Sequence, residues 1–130
     1  MALYTTDTHS LVWHFTRSPM LSQKAKKCFL EVESGYGSAY VPVIVMAEAY
    51  YITRKKKIIF NYNELLDQII TSPNYFLYPF DYEILAKLGE LELLTELHDQ
   101  VIVATALLTH SILITKDEAI SNSSLVRVIW

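Results

Sequence analysis

The stretch "LHDQVIVATALLTHSILIT", residues 97–115, decides how the rest of the chain is read. Asp99 leads into a run, Val101–Leu108, that is apolar except for Thr105. Its Val-Ile-Val start favours a strand, but length arbitrates. A dozen residues with Ala and Leu in the second half read as a helix, and the short "SILIT" (111–115) behind it reads as a strand. A buried helix feeding a short apolar strand belongs to a crossover unit of a parallel sheet.

The same alternation continues outward on both sides. Towards the N-terminus lie a helix "DYEILAKLGEL" (81–91) opened by Asp81, a strand "NYFLYPF" (74–80) and an amphipathic helix "NYNELLDQIITS" (61–72). Before them, "VIVMAEAYYITRKKK" (43–57) reads as a helix whose start is marked by Pro42, and "SAYVPV" (38–43) as the strand leading into it. The segment "SQKAKKCFLEVES" (22–34) carries Ala25, Cys28, Phe29 and Val32 on one helical face, with Ser22 as its cap and Gly35 and Gly37 ending it. The chain opens with a strand, "ALYTTD" (2–7), and a helix start, "THSLVWHF" (8–15); "LVRVIW" (125–130) is a last strand. Strands alternating with helices of this length predict an α/β fold, a three-layer α/β/α domain around a mostly parallel sheet. The helices at 43–52 and 101–108 are apolar nearly all round, so both are expected to be covered on every side.

A chain of 130 residues predicts one domain, spanning 1–130, with enough length for a real core. With 52% apolar and 19% charged residues it is a globular composition, and three Gly and four Pro leave little material for linkers. Cys28 is the one cysteine, so no internal disulfide or cysteine metal cage can form; its expected place is the core. No signal peptide is visible, and the longest apolar run, Ala39–Ala47, falls far short of the ~20 residues a bilayer span needs. A cytoplasmic protein without membrane attachment is the expectation. The net charge of −3 is not that of a general nucleic-acid binder, although basic residues cluster at Arg54–Lys57 and at Lys24, Lys26 and Lys27.

Four carboxylates occupy telling positions. Asp7 ends the first strand, and Asp117 follows "SILIT" by two residues. Open parallel sheets bind ligands at the carboxyl ends of their strands, so two acids stand where a site belongs. Asp99 lies at the start of a buried helix. Glu48 is the single charge within "VIVMAEAYYI" (43–52). An ionised carboxylate buried there needs compensation from a metal ion or from a nearby Lys or Arg. Each acid alone has a plain alternative: a turn residue for Asp7 and Asp117, a complement to the helix dipole for Asp99, a buried salt bridge for Glu48. Jointly they make a constellation that chance explains poorly.

The constellation resembles a known family. "TTDTHSLVWHF", "VPVIVMAEAYYI", "ELHDQVIVATALL" and "LITKDEAI" are similar, in this order and spacing, to the four acid-bearing motifs of PIN domains, the nuclease fold of VapC-type toxins in toxin–antitoxin pairs. The tail "SNSSLVRVIW" resembles the family's ending as well. The resemblance covers essentially the whole chain. It implies that Asp7, Glu48, Asp99 and Asp117 hold Mg²⁺ or Mn²⁺, two ions per site during catalysis, and cut RNA to leave a 5′-phosphate and a 3′-hydroxyl. It implies an antitoxin partner and a homodimer. Four positions depart from similar sequences: Thr5 and Thr6 make the first strand more polar, Gln100 stands where Arg is frequent, and Thr95 where Pro is.

Around this site, Thr115 and Ser10 are expected to hydrogen-bond site carboxylates or water, and Glu96 and Glu118 flank the acids. Arg54, Lys55, Lys56 and Lys57 suit either RNA phosphates or a helix C-terminus. Lys116 suits either the scissile phosphate or a site acid. Nine Tyr and two Trp offer stacking surfaces for single strands, though core packing claims most aromatics. Three other readings compete. A non-cleaving PIN-like RNA- or metal-binding module would carry the same acids, and the sequence does not separate RNA from DNA as substrate. A phosphoacceptor receiver domain would need an acceptor Asp after its third strand, near the chain middle, where this sequence has Lys55-Lys56-Lys57 and Asp81 comes late.

Overall fold

Hydrophobic strand segments and amphipathic helices alternate in the computed structural model, which describes Met1–Trp130 throughout. The strands are β1 (Ala2–Thr6), β2 (Gly37–Pro42), β3 (Tyr75–Tyr78), β4 (Ile112–Ile114) and β5 (Val128–Ile129). They form one sheet in the order β3-β2-β1-β4-β5, and every neighbouring pair is parallel. The helices are α1 (Thr8–Phe15), α2 (Gln23–Glu33), α3 (Val43–Arg54), α4 (Tyr62–Thr71), α5 (Tyr82–Leu88), α6 (Leu97–Thr109) and α7 (Glu118–Ser123), and they flank the sheet as the α/β expectation requires.

The strand order locates the site. From β1 the chain steps to β2 and β3 on one side, then crosses back to β4 and β5 on the other. The reversal falls between β1 and β4, where an open parallel sheet has its crevice. Tyr4, Thr5 and Thr6 pair with Ile112, Leu113 and Ile114, so Asp7 and Thr115 emerge side by side. The Asp7 amide still donates to Ile114 O at 3.3 Å, and that of Thr115 to Ile129 O at 3.3 Å. A receiver domain is excluded here, because its order places β1 beside β3.

The apolar run Val101–Leu108 is helical, within α6. All six residues Val101–Ala106 of α6 are buried, and Thr105 satisfies its hydroxyl on the Val101 carbonyl at 2.9 Å. α3 departs from expectation: Val45, Met46, Ala49 and Ile52 are buried, but Tyr51 keeps 58% exposure and Val43 and Tyr50 are exposed as well. It is covered on one face only. The helix also stops at Arg54, short of the three lysines. Lys56 takes the left-handed backbone (φ 56°) that no helix continues through.

Ser22, Asn61 and Asp81 cap α2, α4 and α5 by accepting the amides of Ala25, Glu64 and Ile84, as such residues do at helix starts. The C-terminal strand is shorter than "LVRVIW" suggested, reduced to Val128–Ile129, and the short helix α7 before it was not anticipated. Cys28 packs in the core. The polar β1 has a local reason. Thr5 shares a buried 2.6 Å hydrogen bond with Ser111, which reaches Thr109 at 2.8 Å, and the Thr6 hydroxyl donates to Asp7 O at 2.9 Å. No buried side-chain polar atom is left without a partner.

Candidate metal centre

Both strand-end acids cap helices. Asp7 is the N-cap of α1, its Oδ1 accepting the Ser10 amide at 2.9 Å; Asp117 is the N-cap of α7, its Oδ1 accepting the Ile120 amide at 2.9 Å. The turn reading therefore holds for each without displacing a further role. Thr115 joins them. Fully buried, its hydroxyl donates to Asp7 Oδ2 at 2.5 Å and accepts the Asp117 amide at 3.0 Å. Ser10 also touches this group, through its amide on Asp7 and its hydroxyl on Ile114 O at 3.3 Å.

Glu48 projects from α3 and is half-buried. Its partner is neither Lys nor Arg: the buried Thr8 hydroxyl donates to Oε1 at 2.5 Å. Asp99 lies in the first turn of α6, not at its cap. Glu96 occupies the cap position and makes no side-chain cap bond. Burial pushes the Asp99 carboxyl up to about 6, and Asp117, Glu96, Glu48 and Asp7 push in the same direction. Burial also raises Asp7, against hydrogen bonds from Ser10 and Thr115 and the nearby charge of His9. The mutual repulsion at Asp99 means that all four acids share one field. No Lys or Arg pairs with any of them. The ion pairs of the molecule are His14–Glu33 at 2.7 Å and Lys87–Glu90 at 3.3 Å, neither at these acids.

Other residues singled out in the sequence lie elsewhere. Arg54 donates to Tyr50 Oη at 3.3 Å, at the end of α3, six residues or about 9 Å of helix beyond Glu48. Lys55, Lys56 and Lys57 continue from it into solvent. Lys116 pairs with no carboxylate; its Nζ stands 5.9 Å from the Trp13 ring centre. Glu96 and Glu118 are exposed. A cavity of about 660 Å³ lies among the end of α1, α2 and α4, and none of the four acids lines it. The geometry of the acids, not the size of that cavity, marks this site.

Sequence reading missed Thr8. Its hydroxyl was no more conspicuous than those of Thr5 and Thr6, and only the packing of α1 beside α3 shows that it reaches Glu48. It missed the tether made by Gln100 too, whose Nε2 donates to Leu94 O at 2.7 Å and to Leu91 O at 3.3 Å. That tether anchors the segment leading into α6, and so the start of the helix that carries Asp99.

The sequence matches the model of the PIN domain family over residues 4–124. The chain belongs to the PIN domain family. Comparison with curated proteins by sequence gives no match. This PIN domain resembles solved structures in fold. One is the VapBC2 complex of Rickettsia felis bound to a DNA fragment from its promoter (TM-score 0.73, 19% identity, 98% of each chain covered). A second is FitAcB of Neisseria gonorrhoeae (0.65, 19%, 98% of this chain and 96% of that one). VapBC-1 of nontypeable Haemophilus influenzae is a third (0.67, 16%, with the same 98% and 96% coverage).

Proposed function

We propose that this PIN domain, residues 1–130 acting as one nuclease unit, is a Mg²⁺- or Mn²⁺-dependent endoribonuclease whose metal ligands and catalytic groups are Asp7, Glu48, Asp99 and Asp117. One observation carries the reading: four carboxylates from four segments share one field at the switch point of the sheet, with no Lys or Arg paired to any of them. A cation is what such a group lacks. The donor chemistry fits, since Mg²⁺ prefers oxygen ligands and four carboxylates balance two divalent ions. No three His, Cys, Asp or Glu side chains converge into a ready-made cage.

Bound divalent ions supply an activated water and charge neutralisation at the leaving oxygen. The chain's own contribution is orientation. Thr115 aims Asp7 and fixes the turn that presents Asp117, while Thr8 aims Glu48. Such supporting hydrogen bonds hold ligands at productive angles before the ion arrives. The products have a 5′-phosphate and a 3′-hydroxyl, and no histidine is needed as a base. Lys116 and the Arg54–Lys57 cluster are the basic residues assigned to RNA phosphates.

The same proposal makes the chain the VapC-type toxin of a toxin–antitoxin pair, cytoplasmic, dimeric and held inactive by its antitoxin. Its likeness to the toxin–antitoxin complexes of Rickettsia and Klebsiella (19% identity each) supports this part. The test is cleavage of end-labelled structured and unstructured RNAs by protein stripped of any antitoxin, in Mg²⁺ or Mn²⁺, with a chelator control. Metal-dependent cutting that Asp99→Asn loses by more than about 100-fold, and that His98→Ala retains, is expected. Metal binding without cleavage of any RNA points to the non-cleaving module, and absence of metal binding overturns the four-acid site.

A further inference from the structure

We propose that Trp13, Trp130 and Lys116, with His9 at their edge, form a nucleobase-stacking subsite beside the four acids, taking an unpaired base of single-stranded RNA together with its phosphate. The proposal rests on the nuclease reading for the identity of the polymer. The subsite itself rests on geometry.

Three separate segments converge on it. His9 and Trp13 stand four residues apart on α1, and so on the same helix face, in the helix that Asp7 caps. Their ring centres are 5.4 Å apart at 54°. Trp130 follows β5, which pairs with β4, and its ring lies 5.9 Å from Trp13 at 56°. Lys116 comes between Thr115 and Asp117, and its Nζ is 5.9 Å from the Trp13 ring centre.

Core packing explains part of this cluster and not all of it. Both indoles lean on the core, yet neither is buried, while His9 and Lys116 are exposed. The rings meet at tilted angles, so they do not cover one another's π-faces as a parallel stack would. Lys116 is the telling residue. It adjoins Asp117 in a strongly negative neighbourhood, yet no carboxylate pairs with it, and it lies against an indole. An aromatic face with a cation at its side is complementary to a base and its adjoining phosphate, the combination by which sequence-tolerant single-strand binders hold their ligand. From Asp7 to Trp13 is six residues of helix, about 9 Å, or two to three stacked nucleotides at about 3.4 Å each. A base held there leaves the next phosphates within reach of the acids.

The chain has two tryptophans, both in this cluster, so its indole fluorescence reads this subsite alone. The experiment titrates full-length Asp99→Asn protein, in Mg²⁺, with octauridylate and with an abasic phosphodiester of equal length. Indole emission is followed beside the anisotropy of end-labelled versions. Octauridylate is expected to quench the emission over the range in which it binds, and the abasic chain to bind at least about fivefold more weakly without quenching. Trp13→Ala should weaken octauridylate binding about 5- to 100-fold, the worth of one base–aromatic stack, and Trp13→Phe should restore most of it. Lys116→Ala, an exposed change that leaves the fold intact, should lower the salt dependence of binding by about one phosphate contact. Binding without an indole response, equal affinity for the abasic chain, or no binding of either oligomer overturns the subsite. Failure of the nuclease reading is separately visible: quenching and selectivity as expected, but no metal-dependent cleavage by the wild-type protein.

Discussion

At the residue scale the decisive group is a hydroxyl. Thr115 satisfies one oxygen of Asp7 and the backbone amide of Asp117 from a fully buried position, so two acids from different segments share one anchor. Thr115→Val keeps the shape and removes both bonds. Leaving buried polar groups unpaired costs about 1–3 kcal/mol. We expect that loss in urea denaturation, together with a 10- to 100-fold fall in Mg²⁺ affinity by calorimetry, roughly the effect of losing a supporting hydrogen bond at a metal site. Thr115→Ser should recover most of both. If Val binds metal as well as wild type, the hydroxyl is only a structural tie. Asp99 makes a second prediction. Burial and its acidic neighbours hold its carboxyl at about 6, so below that pH a bound ion must displace a proton. Mg²⁺ affinity should then fall by about tenfold per pH unit below 6 and level off above it. An affinity flat between pH 5 and 7 would contradict this.

At the scale of elements, α6 and its approach matter most. Six consecutive buried residues fix the helix against the sheet, but its N-terminal turn, which carries Asp99, is held differently. Glu96 makes no cap bond, and the preceding loop is tied through Gln100 to the carbonyls of Leu91 and Leu94. Gln100→Ala releases both carbonyls. We expect a stability loss of about 1–2 kcal/mol in chemical denaturation and faster amide exchange across 91–99, with the middle of α6 unchanged. An unchanged exchange pattern would show that the loop stands without the tether. The helix itself was legible in the sequence, because a dozen residues rich in Ala and Leu are too long for a strand. The tether was not: Gln100 attracts notice in sequence only as a departure from similar chains, and its acceptors are backbone carbonyls, which carry no sequence signature.

For the whole molecule, the site opposes the fold that builds it. A folded chain that half-buries Asp99 among other carboxylates works against its ionisation: burial raises the carboxyl most, and repulsion from Asp117, Glu96, Glu48 and Asp7 adds to it. The sign follows from linkage. Between the ordinary carboxyl value of 3.8 and about 6 the folded state binds more protons than the unfolded state at Asp99. Its contribution to metal-free stability therefore declines as pH rises through that window. Asp99→Asn should be more heat-stable than wild type in chelator above pH 6, with the two melting temperatures converging near pH 4. Excess Mg²⁺ should reverse the order, since an ion at 100 times its dissociation constant stabilises the native state by about 2.7 kcal/mol. Equal melting temperatures in chelator across this range would mean that the repulsion is relieved in solution.

The sequence by itself determined the kind of element at nearly every position and the α/β class, because periodicity and cap residues are local signals; the four acids stood out by their places in strand ends and apolar helices and by the family resemblance. It overran where local signals fade. The lysines after Arg54 look helical until a left-handed residue ends the helix, and "LVRVIW" promised six residues of strand where two pair. Only the tertiary structure decided that β1 lies between β2 and β4, that Thr8 reaches Glu48 and Thr115 reaches Asp7, and that Trp13, Trp130 and Lys116 meet. These contacts join residues from about 35 to more than 100 positions apart. Their partners are chosen by how helices and strands pack, which no short window of sequence encodes.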